Sequence, residues 1–114
     1  MSKAVLLEPS ITVVSIQEEV DILDAIHLEQ RLTSILEKGS HLVLDLGSVI
    51  YLDSAGVKTV VNLFKRGEEL GLCVRLCRVS KQLRDLFWAS PIECYDPSPE
   101  ESCRFIRSAC PIPS

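Results

Sequence analysis

The sequence predicts one α/β domain built on a mixed, mostly parallel sheet of about five strands with four helices. Three observations carry that expectation. The chain has 114 residues, enough for one domain with a real core and too few for two ordinary ones. Hydrophobic residues make up 46% and charged residues 25%, the balance of a folded globular chain rather than a disordered or membrane-spanning one. Short apolar runs alternate with segments of helical period along most of the length, the order that calls for parallel strands joined by helical crossovers.

Each element has its own local reason. Val5 to Glu8 and Ile11 to Gln17 are β-rich runs on either side of Pro9-Ser10, where a fixed proline φ and a local hydroxyl suit a tight reversal. They predict an opening hairpin. From Asp24 to Lys38, Ala25, Leu28, Leu32 and Ile35 recur at three- and four-residue steps, and Gly39 stands where a left-handed cap belongs, the pattern of an amphipathic helix. His41 to Leu46 is an apolar run bounded by Gly39-Ser40 and Gly47-Ser48, which predicts a strand buried on both faces. A second helix from about Ala55 to Leu70 is expected to bury Val57, Val60, Val61 and Phe64, to expose Lys58, Asn62, Lys65 and Glu69, and to stop at Gly71.

Leu72 to Val79 alternates Leu72, Val74 and Leu76 with Cys73, Arg75 and Cys77, a strand with one apolar face. Ser80 caps a short helix from Lys81 to Ala89, with Leu83, Leu86 and Phe87 inward and Pro91 as its stop. Ile92 to Tyr95 is a last, weak strand. Ser98-Pro99-Glu100-Glu101 combines a capping box with a proline at the first helical position, opening a terminal helix to about Cys110. Residues 1–110 then form the domain, and 111–114, with two prolines, a frayed tail. Right-handed crossovers place the helices against the parallel strands, and the hairpin supplies an antiparallel neighbour.

Composition narrows the function classes. Twelve basic against sixteen acidic residues give a net charge of −4 with no basic block, which argues against direct nucleic-acid binding. Apolar runs are only a few residues long and the first nine residues fall short of a signal peptide, so the chain reads as cytoplasmic with no membrane insertion. The five cysteines contain no C-x-x-C knuckle. Cys73 and Cys77 share a strand face about 13 Å apart, too far for a disulfide, Cys103 and Cys110 lie about 10 Å apart along a helix, and Cys94 stands alone. They read as small half-buried thiols in a reducing compartment, binding no metal. His27 and His41 neighbour no nucleophile motif, and no glycine-rich phosphate loop occurs. The expectation is a non-enzyme with no catalytic residues and no cofactor.

One segment stands apart, the run from Leu44 to Gly56 that ends in Asp53-Ser54-Ala55-Gly56 at a helix start. Function in open α/β sheets collects at the carboxyl ends of strands, and Ser54 sits just past one. Asp and Ser are also favoured helix caps, and local sequence alone favours that plainer role. Two details point further. Gly56 costs about 1 kcal/mol relative to Ala in a helix, and Ala55 leaves the Ser54 hydroxyl without a bulky neighbour. Trp88 lies four residues after Arg84, where a cation–π pair is possible; packing under the tail is the simpler account.

Leu44-Asp45-Leu46, Tyr51-Leu52-Asp53-Ser54-Ala55-Gly56 and Leu83-Arg84-Asp85-Leu86-Phe87 together resemble a STAS domain, specifically the stand-alone bacterial anti-sigma factor antagonists, over nearly the whole chain. The resemblance implies that Ser54 is phosphorylated by a partner that is both serine protein kinase and anti-sigma factor, and that a phosphoserine phosphatase reverses the modification. Glu19-Val20-Asp21 resembles the family's G-E-L-D element, with Glu18 in place of the glycine, and implies a partner-surface role for Asp21. Pro91 likewise replaces a glycine usual after the third helix. The implied partner surface comprises Asp21, Asp53, Ser54, Ala55, Gly56, Lys58 and Asn62. On this reading the unmodified protein sequesters the anti-sigma factor and frees a sigma factor, and a phosphoryl group carrying about −1.5 to −2 charges reverses that. A competing expectation within the fold is a non-switching STAS adaptor, bound to a transporter ATPase or a stressosome-like scaffold.

Overall fold

Apolar runs and helical segments alternate along the chain as nine elements: β1 (Ser2–Glu8), β2 (Ile11–Ile16), α1 (Ile22–Glu37), β3 (His41–Asp45), α2 (Ser54–Leu70), β4 (Val74–Cys77), α3 (Lys81–Asp85), β5 (Tyr95–Asp96) and α4 (Pro99–Ala109). They come from a computed structural model that describes residues 2–8, 11–16, 22–49, 51–87, 92 and 95–109. The strands lie side by side in chain order, β1-β2-β3-β4-β5. β1 runs antiparallel to β2, with a bulge between Leu6 and Glu8, and the other pairs are parallel, in registers such as Val14↔Leu44 and Leu44↔Leu76. This is the mixed, mostly parallel sheet the alternation predicts. The Pro9-Ser10 reversal and the tail after Cys110 lie outside the described residues.

Strands added in sequence order by right-handed crossovers step the same way each time, so α1, α2 and α3 share one face of the sheet. There Val14, Leu42, Leu44 and Leu76 meet Leu32, Leu36, Val60, Leu63 and Leu83 in the main core. The opposite face presents Ile11, Val13, Val43 and Cys77, and α4 covers it with Cys103 and Ile106. All five residues of β3 are buried, as expected for a central strand covered on both sides.

Several boundaries differ from the sequence expectation, among them the start of β1 at Ser2 rather than Val5 and of α1 at Ile22 rather than Asp24. β4 pairs only over Val74–Cys77, although Leu72 and Val79 beyond its ends are buried; apolar alternation reports burial, and ladder pairing needs a neighbour as well. β5 is Tyr95–Asp96 rather than Ile92–Tyr95. Its side-chain anchor is Asp96, which accepts two hydrogen bonds from Arg75, at 2.6 and 2.8 Å, and one from Ser102 at 2.6 Å. α3 ends at Asp85; Trp88 lies outside the described residues, and Arg84 instead places its guanidinium over the Tyr95 ring, 5.2 Å from the centroid.

The buried face of α2 is rotated from the expected one. Gly56, Thr59, Val60, Leu63 and Gly67 are buried, whereas Val57, Val61 and Phe64 are only half-buried. The glycines cause the rotation. At Gly67 the helix lies so close to β4 that a Cβ would stand 2.7 Å from Val74 Cγ2, so the side with least side-chain bulk turns inward.

The cysteine expectation needs correction. Cys73 is disulfide-bonded, to a partner outside the described residues, while Cys77 and Cys103 are buried thiols outside any disulfide. Spacing within one strand or helix excludes only pairs on that element. A fold can join thiols from separate elements wherever their Cα atoms come within about 7 Å. Burial pushes the Cys77 thiol up to about 12, which makes it a packing group rather than a nucleophile.

Candidate functional site

At the carboxyl end of β3 the chain turns toward α2 around a buried carboxylate. Asp45 Oδ1 accepts the Gly47 amide at 2.9 Å, and both Asp45 oxygens accept from Arg78, at 2.9 Å from Nε and 2.7 Å from Nη2. Arg78 stands just past β4 with φ +55°, the one non-glycine residue in the left-handed region among the described residues. Its guanidinium packs so tightly on Gly47 that a Cβ there would meet it at 2.7 Å. Burial pushes the Asp45 carboxyl up, but the Arg78 and Gly47 hydrogen bonds and the Arg78 charge outweigh it and hold the group below its ordinary 3.8. The pair ties the ends of β3 and β4 together, and the link to α2 leaves from this anchor.

Asp53 caps α2. Its backbone is extended (φ −77°, ψ −179°) and its Oδ1 accepts the Gly56 amide at 2.9 Å, which satisfies one of the orphan donors of the first turn. Ser54, the first residue of α2, is exposed. Capping falls to the aspartate and the serine hydroxyl is left available at the surface.

Lys58 and Asn62 follow Ser54 at four-residue steps and continue its line along α2. Two grooves flank this crest. Toward α1 lies one of about 330 Å³, lined among others by Ile26, Glu29, Ala55, Lys58 and Asn62. Toward α3 lies one of about 510 Å³, lined among others by Tyr51, Ser54, Val57, Val61, Lys65 and Leu86. The structure thus brings Asp53, Ser54, Ala55, Lys58 and Asn62 onto one surface. Asn62 is half-buried and donates to Glu29 Oε1 at 3.4 Å, so it also bridges α1 and α2. Gly56 differs from the expectation: it is buried, and a Cβ there would meet Leu52 Cδ2 at 3.0 Å. It shapes the surface from beneath instead of offering atoms to a partner. Asp21 lies outside the described residues.

Sequence reasoning missed the apolar rim. Tyr51 is 64% exposed and Ile26 51% exposed. An aromatic in the link just before the Asp53 cap and an isoleucine off its helix's apolar stripe are the signals that point to them.

Among the described residues, no group of three or more His, Cys, Asp or Glu side chains could hold a metal ion, and no helix is long and apolar enough to cross a membrane. His27 is exposed. His41 is buried far from Ser54 in sequence, on β3, where its Nδ1 accepts the Cys73 amide at 2.9 Å.

A sheet in chain order, three helices on one face and a serine presented at the start of α2 define a class of domain. The STAS domain family matches residues 3–96, and the chain belongs to this family, among its anti-sigma factor antagonists. It is 34% identical over 74 residues to the anti-sigma-B factor antagonist of Bacillus subtilis (strain 168), a span covering 65% of this chain and 68% of that protein. Its fold is similar to that of the anti-sigma factor antagonist SpoIIAA in unphosphorylated form, with TM-score 0.79, 17% identity, and coverage of 94% of this chain and 98% of that one. The phosphorylated form of the Bacillus cell fate determinant SpoIIAA superposes equally, with TM-score 0.79, 17% identity, and coverage of 94% and 100%.

Proposed function

We propose that this chain is a phosphorylation-controlled anti-sigma factor antagonist acting in the cytoplasm. With Ser54 unmodified it binds an anti-sigma factor that is also a serine kinase and so frees a sigma factor; with Ser54 phosphorylated it lets that partner go, until a phosphoserine phosphatase resets it. The observation that carries this reading is the exposed Ser54 hydroxyl on a crest between two grooves, relieved of capping by Asp53.

The chemistry follows from charge. A phosphoryl group brings about −1.5 to −2 charges at pH 7. The amino terminus of α2 tolerates that charge, so the fold persists in both states. At the surface the group adds bulk, hydration and negative charge beside Asp53, and a partner seated over Ser54 must desolvate it. Each 1.4 kcal/mol of that penalty is tenfold in affinity, so about 3–4 kcal/mol makes a switch. Relatives support the reading: the B. subtilis protein is an anti-sigma-B factor antagonist, and SpoIIAA exists in phosphorylated and unphosphorylated forms.

The test is incubation with each candidate anti-sigma kinase from the same genome and ATP, followed by peptide mapping and complex titration. The expected result is label confined to Ser54, loss of the complex on labelling, and no label in Ser54→Ala. A Ser54→Asp chain that binds as tightly as wild type would overturn the switch. Stable association with an ATPase and no label would support the adaptor role instead.

A further inference from the structure

The groove between α2 and α3 has a chemistry that its neighbours do not neutralise. Its apolar lining is Val57, Val61 and Leu86, half-buried and packed against the main core, together with Tyr51, 64% exposed. Its rim is cationic. Lys58 and Lys65 line it seven residues apart, about 10 Å along the helix, and neither has an ion-pair partner among the described residues. Arg66, Arg75, Arg78 and Arg104, by contrast, are all paired to carboxylates. The groove's one lining carboxylate is Asp53, already engaged with the Gly56 amide. A positive, apolar-lined groove is therefore set into a chain whose net charge is −4.

We infer that this groove receives an amphipathic helix of the partner, with apolar residues facing Tyr51, Val57, Val61 and Leu86 and acidic residues facing Lys58 and Lys65. Charge complementarity selects this occupant: a basic helix meets two like charges, and among the described residues a second copy's helices offer only single exposed large apolar side chains, Ile26 on α1 and Phe105 on α4, too few to anchor a helix over two turns. The groove spans about two helical turns, the length over which i, i+3, i+4 and i+7 anchors seat a helix. The inference rests on the partner-binding reading of this face and names what the partner brings to it. It also explains how modification at one end acts along the whole groove. A phosphoryl group on Ser54, one turn from Lys58, competes for that lysine and repels the acidic rim of the occupant.

The experiment uses the full-length, isotopically labelled chain and two stapled 14-residue helices as probes, each with leucines at three- and four-residue steps. One carries glutamates at the remaining positions and the other lysines. The glutamate helix is expected to shift the resonances of Tyr51, Val57, Val61 and Leu86 and to weaken as salt rises. The double variant Lys58→Glu/Lys65→Glu, folded by the same spectrum, should bind it about tenfold more weakly, as should a chain with phosphoserine installed at position 54. Equal binding of both helices, shifts confined to another face, or no binding of the glutamate helix would overturn the inference. So would shifts at these residues on raising protein concentration alone, which would make a second copy the occupant. None of these outcomes depends on any kinase labelling Ser54, so the groove and the switch can fail separately.

Discussion

Asp53 and Ser54 are adjacent, and both residue types are good helix caps, yet the backbone gives them different work. Asp53 sits in the extended cap position and holds the Gly56 amide, while Ser54 is already helical and faces outward. Asp53→Ala should therefore cost about 1 kcal/mol of stability and Asp53→Asn much less, read from urea midpoints. Arg78 supplies a second test at this scale. Its φ of +55° is costly for any residue with a Cβ and free for glycine. Arg78→Ala and Arg78→Gly both lose the Asp45 pair, but the glycine variant should be more stable than the alanine variant by about 1 kcal/mol. Equal stability of the two would mean that the left-handed backbone carries no strain. The D-S-A-G motif is legible in the sequence because capping acts within four residues. Arg78 is not, because its partner Asp45 lies 33 positions away.

Among the elements, α2 is the one whose length, start and stop follow from sequence and whose orientation does not. Apolar periodicity puts it at about Ala55 to Leu70, and it runs Ser54–Leu70 with Gly71 as a left-handed cap at φ +72°. Periodicity counts apolar side chains and gives glycine no weight, so it cannot see that Gly56 and Gly67 lie on the inward face. Gly67→Ala tests this. Helix propensity alone favours the alanine by about 1 kcal/mol, but its Cβ would press on Val74 Cγ2 at 2.7 Å and on the Leu72 carbonyl oxygen at 3.2 Å. Overpacking should prevail, leaving the variant about 1–2 kcal/mol less stable than wild type by urea titration. A stabilised variant would show that α2 can lift from β4 at no cost. α4 is equally legible as a capped amphipathic helix. Its place on the far face depends on Ser102 reaching Asp96 and on Arg75, whose guanidinium lies over the Phe105 ring 3.7 Å from the centroid.

For the whole molecule, three titrating groups among the described residues set how stability responds to acid. Burial holds the His41 pKa below its ordinary 6.5. The Arg75 hydrogen bonds hold the Asp96 carboxyl below 3.8 against its own burial, and Asp45 is held low by Arg78 and Gly47 despite its burial. In each case the unfolded chain binds protons more readily than the folded one, so stability is full above the unfolded pKa and is lost as pH falls below it. Two limbs are expected in urea titrations: a first decline below pH 6.5 from His41 and a steeper one below pH 3.8 from the two aspartates. His41→Gln should remove the first limb and leave the second. A wild-type curve flat from about pH 7 to 5 would contradict the buried neutral histidine.

The sequence by itself determined the order of the elements and the character of the sheet, an antiparallel hairpin followed by parallel strands, because a helix between two strands calls for a crossover connection. It also placed Ser54 just past a strand end at the start of a helix, since strand end, link and helix start are local. Only the tertiary structure decided that the strands lie side by side in chain order, that α2 turns its glycines inward and leaves Val57 and Val61 half-buried, and that Cys73 enters a disulfide. It alone brought Asp45 to Arg78 and Arg75 to Asp96, 33 and 21 residues apart. These features rest on distances between residues remote in the chain. Periodicity, capping and turn chemistry act over a few residues and carry no information about such distances.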